Sequence, residues 1–147
     1  MKRKVWFSSV LIILFSCSKP NTGGPLAVNV QPSMSASING TAWVATNFSG
    51  TNVSGTLVLE GGKADGTQFT LDIPTTTSNG SHKGGGINSC QATFQSGTTY
   101  SSMTSGNVTI NSNSNNVISG TFSGTFTNTS TQAVSTITNG NFTSTYQ

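Results

Sequence analysis

The sequence predicts an all-β domain, an antiparallel meander forming a barrel or a β-sandwich, and three observations lead there. Short runs in which apolar residues alternate with Ser and Thr recur from Met34 to Tyr146, the period-two pattern of half-buried strands. Turn residues, above all the dipeptide Asn39-Gly40, separate these runs. No stretch after the first seventeen residues carries the apolar spacing of a helix. Seven to ten strands are expected between about Met34 and Tyr146.

Residues 1–16 read as a secretory signal: basic Lys2-Arg3-Lys4, an apolar stretch from Val5 to Phe15 interrupted by Ser8 and Ser9, and a small residue before Cys17. The apolar stretch is shorter than the roughly 20 residues of a bilayer-spanning helix, so it does not serve as a permanent anchor. Leu14-Phe15-Ser16-Cys17 resembles the lipobox of bacterial lipoproteins, with Phe15 bulkier than the usual middle residue. That resemblance implies cleavage after Ser16 and acylation of the Cys17 thiol, including palmitate. Two or three acyl chains hold a protein at a membrane where a single one does not. Ser18 stands where an aspartate would mark inner-membrane retention, and Ser18-Lys19-Pro20 lacks the acidic residues that accompany surface export. The expected address is the outer membrane, on its periplasmic face. Residues 17–33 hold the lipidated cysteine and a tether rich in Pro and Gly, leaving 34–147 as one β domain.

Within that domain, Met34 to Ile38 and Thr41 to Thr46 flank Asn39-Gly40 as a hairpin. Thr56 to Glu60 closes on Gly61-Gly62, and a turn around Asp65-Gly66 leads to Phe69 to Ile73, which Pro74 stops. Thr75 to Gly86 reads as a loose, mobile loop. The run from Ile87 to Phe94 puts Cys90 on the face of Ala92 and Phe94, as a small buried residue. Gly106 to Ile110 precedes a turn over Asn111 to Asn116. Val117 then opens a long strand in which Ile118, Gly120, Phe122, Gly124 and Phe126 share one face, with glycines between large side chains as where a sheet curls or another backbone approaches. Ala133 to Thr138, a second Asn-Gly at 139 and 140, and Phe142 to Tyr146 complete a last hairpin-like unit.

Three of these stretches, Met34 through Trp43, Ile118 through Phe122 and Ile137 through Phe142, are together similar to a family of uncharacterised Bacteroidota lipoproteins. The resemblance implies a lipocalin-like barrel or sandwich. It implies no activity, so no catalytic residue is carried over.

Charge is scarce, at 6% of residues, and the formal net charge of +3 arises in the signal. Beyond Cys17, Lys19, Lys63 and Lys83 face Glu60, Asp65 and Asp72, which leaves the mature chain near neutral and without the basic footprint of a nucleic-acid binder. One histidine, two aspartates and one glutamate are a short list for acid–base or metal chemistry. His82 lies between Ser81 and Lys83 beside a glycine run and reads as a solvated loop residue, and no third group is in view to orient a Cys90–His82 pair. Asp65 reads as a turn residue and Asp72 as the outward position of a strand. The reading is therefore not an enzyme, with no catalytic, cofactor-binding or metal site. Trp43, Tyr100 and Tyr146 remain as candidate contacts for a small apolar or glycan ligand at a barrel mouth, Trp43 doubling as a core residue. The expected protein is a monomeric, membrane-anchored binding module, the alternative being a structural or adhesive envelope protein.

Overall fold

The computed structural model describes residues 31–85 and 89–147. The lipoprotein signal, Cys17 and the tether up to residue 30 lie outside the described residues, as do Ile87 and Asn88 of the Cys90 run. The described residues form ten strands and no helix: β1 (Ser33–Ile38), β2 (Thr41–Val44), β3 (Asn47–Val53), β4 (Thr56–Gly62), β5 (Thr67–Pro74), β6 (Gly80–Lys83), β7 (Gln91–Ser96), β8 (Thr99–Ser114), β9 (Val117–Thr127) and β10 (Val134–Thr145). They make one antiparallel sheet in the order β2-β1-β10-β9-β8-β7-β5-β4-β3. β8 is long enough for β7 to pair with its first residues and β6 with Asn107 to Ile110 on the same edge.

Alternation decides which face is inside. In β5, Phe69, Leu71 and Ile73 are fully buried while Thr70 and Asp72 point outward, and in β9 Ile118, Phe122 and Phe126 face inward. Three hairpins turn through paired residues with positive φ: Asn39 (49°) and Gly40 (84°), Ser54 (50°) and Gly55 (88°), Asn115 (53°) and Asn116 (59°). Such pairs match the right-handed twist of the strands they join.

The sheet curls into a half-barrel. Register shifts in β1, β8 and β10 bend it, as bulges do. Two glycines let it close tightly around its rings. Gly120 is paired with Phe142, and a Cβ there would lie 2.2 Å from the Thr109 carbonyl oxygen and 2.5 Å from the Phe142 ring. Gly140 is paired with Phe122 in the reciprocal arrangement. The two margins of the sheet meet where β2 turns into β3: Ala45 N–H donates to Met34 O at 2.9 Å and Thr46 N–H to Gly62 O at 2.8 Å. Farther along, Asn52 N–H donates to Gln147 O at 3.0 Å.

Side chains fill the interior. Phe69 sits at its centre, with ring centroids 4.9 Å from Trp43, 4.9 Å from Phe94, 5.4 Å from Phe122 and 6.0 Å from Phe126, separations at which edge-to-face aromatic packing is favourable. Cys90 is buried beside Ala92 and Phe94, as its place in the alternation predicts.

Three local expectations need correction, and two stretches are strands where the sequence pattern marked none. Asn139-Gly140 is not a hairpin turn but a bulge inside β10, where Asn139 takes φ 51° and the register against β9 shifts between Ile137 and Gly140; pairing with β9 on both sides of the bulge keeps the strand continuous. The Asn-rich turn is confined to Asn115-Asn116, because Asn111 to Ser114 extend β8 against β9. The stretch from Thr75 to Gly86 holds β6, held by β8. β3 and the first half of β8, whose sequences carry few apolar residues, are strands because neighbours pair with them.

Candidate functional site

The turns β1–β2, β4–β5, β7–β8 and β9–β10 gather at one end of the half-barrel and enclose a groove of about 440 Å³, within the range of small-molecule sites. Its apolar floor is formed by Ile38, Trp43 and Phe94, and its rim by Lys63, Asp65, Thr67, Ser101 and Asn128, among others.

A chain of hydrogen bonds holds one side of the rim. Trp43, whose ring lies edge-on to Phe69, donates Nε1–H to Thr67 Oγ1 at 2.7 Å. The Thr67 hydroxyl donates in turn to Asp65 Oδ1 at 2.5 Å, and Thr67 N–H donates to the same oxygen at 2.9 Å. Lys63 Nζ lies 3.1 Å from Asp65 Oδ2. The Thr67 hydroxyl, then the Thr67 amide, then Lys63 pull the Asp65 carboxyl down to about 2, because each favours the charged form. The rim therefore carries a fixed carboxylate beside an ammonium, above an indole whose own donor is satisfied from within.

Asn128 organises the opposite side. It is buried, and its Oδ1 accepts from Ser130 N–H at 2.9 Å, Thr131 N–H at 2.6 Å and the Thr131 hydroxyl at 2.9 Å, while Nδ2 donates to Tyr100 O at 2.6 Å. One amide thus closes the β9–β10 turn and ties it to β8, satisfying groups that an irregular turn leaves unpaired.

Of the three aromatic candidates, the structure places Trp43 alone in this groove. Tyr100 follows Thr99 in β8, between the groove-lining Thr99 and Ser101, but is itself 58% exposed and points outward. Tyr146 is at the far end, where its hydroxyl donates to Asn113 Oδ1 at 2.8 Å and its amide to Asn116 O at 3.0 Å, pinning the end of the chain to the β8–β9 turn. Thr67 and Asn128 carry the rim and were not singled out from sequence. Their signals are Asp65-Gly66-Thr67 and Asn128-x-x-Thr131, where an Asx side chain bonds forward to the backbone.

The remaining titratable groups lie apart. His82 is not a free loop residue: it is half-buried in β6 and donates Nε2–H to Ser78 O at 2.7 Å. Burial pushes the Cys90 thiol up, with the Thr77 hydrogen bond opposing. Burial likewise raises the Asp72 carboxyl on the outer face of β5. No group of three or more His, Cys, Asp or Glu that could hold a metal ion occurs among the described residues.

Fold and groove together define the class: an antiparallel β half-barrel with a filled aromatic interior and a shallow binding-sized groove at its mouth. The chain belongs to the DUF6252 family, a domain of unknown function, whose model matches residues 30–145. No curated protein matches the chain, and no solved structure does.

Proposed function

We propose that this chain is a lipid-anchored, non-catalytic module of the cell envelope, held at the outer membrane through acylated Cys17 and binding a small glycan-like ligand in the mouth groove. The groove itself carries the reading. Its floor of Ile38, Trp43 and Phe94 suits the apolar face of a sugar ring, and its rim of hydroxyls, the Asn128 turn and the Asp65 carboxylate suits the hydroxyls around it. The filled interior directs a ligand to the mouth instead of the barrel centre and disfavours a long acyl chain as cargo. The similarity to Bacteroidota lipoproteins and the lipobox-like Leu14-Phe15-Ser16-Cys17 support the address, with the periplasmic face preferred because acidic residues do not follow Cys17.

Two measurements test it. The chain has two tryptophans, Trp6 and Trp43, so a Trp6→Phe variant reports from the groove floor alone. Neutral mono- and oligosaccharides are expected to change its fluorescence saturably and a long-chain fatty acid is not; a flat response to every sugar refutes the groove as a glycan site. Cys17→Ser is expected to abolish incorporation of labelled palmitate, and persistent labelling refutes the anchor.

A further inference from the structure

The charged side chains of the described residues are confined to one part of the sheet. Glu60, Lys63, Asp65, Asp72 and Lys83 lie on β4, the β4–β5 turn, β5 and β6, whereas β1, β2, β3, β7, β8, β9 and β10 carry none. Soluble protein surfaces ordinarily draw roughly a quarter to a third of their residues from Lys, Arg, Asp and Glu. An outer face that holds none on β1, β10, β9 and β8, and among the described residues only Lys83 where it reaches β6, is a departure that a partner can explain.

That face has an ordered geometry. Ser35 is paired with Asn141, Asn141 with Thr121, Thr121 with Thr109, and Thr109 with Ser81. This single row crosses β1, β10, β9, β8 and β6 and spans about 19 Å at the usual strand spacing. The next row, two residues along, repeats the chemistry as Ser33, Thr143, Ser119 and Ser112. Beside the first row the Asn139 bulge and β6 bound an open groove of about 390 Å³. Among the described residues, the side chains of Ser35, Ser81, Thr109 and Thr121 make no hydrogen bond within the protein, and Asn141 gives only one, from Nδ2 to Asn139 O at 2.8 Å. In the mouth groove, by contrast, the donors and acceptors of Thr67 and Asn128 are bound to one another and to the backbone.

We infer that this outer face of β1, β10, β9, β8 and β6 is a second binding surface, separate from the mouth, for an uncharged polysaccharide chain lying along the hydroxyl and amide row. Chemistry selects the occupant. A phosphate-bearing or acidic polymer needs a cluster of Lys or Arg, whereas among the described residues this face carries a single cation, Lys83 at its β6 margin. A protein partner is anchored by Trp, Tyr, Arg or aliphatic side chains in a desolvated centre, and the row offers none. Hydroxyl and carboxamide groups both donate and accept, as do the hydroxyls of a neutral glycan, and a row of regularly spaced strands meets a polymer of regularly spaced rings. Each contact exchanges a bond to water for one to sugar and adds little alone; the length of the row lets many act at once.

The test uses the full chain in a polyoxyethylene detergent, which has no sugar headgroup, and measures retention on cellulose, chitin and dextran beads and on an anionic polysaccharide resin. Retention on at least one neutral polymer, unchanged at about 1 M salt where ionic contacts are screened, is the expected result. The double variant Thr109→Val/Thr121→Val keeps side-chain shape and strand preference, and is expected to weaken that retention about tenfold, as for two lost hydrogen bonds. Circular dichroism and the melting temperature show that it is folded, and Asn141→Ala supplies a second, independent reduction. Mouth-groove fluorescence should be the same in these variants, so loss of the row and failure of the mouth reading are distinguishable. Binding only to the anionic resin, wild-type retention by the folded Val variant, or retention on none of the neutral polymers overturns the proposal. So does salt-independent dimerisation that the same substitutions abolish, which would assign the face to a second copy of the chain.

Discussion

Replacing Gly120 by Ala puts the tightness of the curl to a quantitative test. The added Cβ would stand 2.2 Å from the Thr109 carbonyl oxygen and 2.5 Å from the Phe142 ring, whereas ordinary contacts at such an atom begin near 3.4 Å. Relief requires β8 and β9 to separate by roughly an ångström at the Ile110–Gly120 pair, or Phe142 to leave its site over the glycine. Overpacking of this kind costs about 1–3 kcal/mol, and a rigid backbone oxygen places this case at the upper end. The alanine also narrows the unfolded ensemble, which offsets about 0.4–1 kcal/mol. A net loss of about 2 kcal/mol follows, which at this domain size lowers Tm by about 8 °C. Thermal and urea unfolding followed by circular dichroism would measure it. Trimming the ring as well, in Gly120→Ala/Phe142→Leu, is not expected to restore stability, because the Thr109 oxygen remains in the way. A Gly120→Ala protein within about 0.5 kcal/mol of wild type, the scatter of ordinary surface changes, would refute the close-approach reasoning.

Two further outcomes are expected. Because the folded Asp65 carboxyl sits at about 2 against an ordinary 3.8, its contribution to stability is present above about pH 4 and is lost as pH falls from there through 2; Asp65→Asn should flatten that part of the stability–pH curve, and an unchanged acid limb would show that the Thr67 and Lys63 contacts do not bias it. The buried, upward-shifted Cys90 thiol should resist a disulfide reagent at neutral pH in the folded Cys17→Ser protein and react once denaturant is added, whereas prompt labelling of the native form would mean that the site opens readily.

How much could be read in advance depended on whether local chemistry was sufficient. The Asn39-Gly40 hairpin and the inward face of Ile118, Phe122 and Phe126 were legible because turn dihedrals and side-chain alternation are properties of neighbouring residues. Asn139-Gly140 shows where this stops. The same dipeptide that turns the chain between β1 and β2 forms a bulge in β10, since the choice belongs to the strands alongside. Ser-Gly-Thr behaves similarly, turning between β3 and β4 at Ser54-Gly55 and running extended in β9 at Ser119-Gly120. The candidate site was less legible than the fold. Trp43 stood out for its size, but its partners Thr67 and Phe94 lie 24 and 51 positions away, and Asn128 is one asparagine among many until its four hydrogen bonds are seen.

The sequence by itself determined the all-β class, the inward and outward faces of the apolar strands, two of the tight turns and the scarcity of charge, because each is fixed by residues adjacent along the chain. Only the tertiary structure decided that β3 and the first half of β8 are strands and that the last Asn-Gly bends one. It alone gathered four turns around Trp43 and aligned Ser35, Asn141, Thr121, Thr109 and Ser81 into one row. Those features arise from register between strands far apart in sequence, and register is set by how the whole sheet buries its rings.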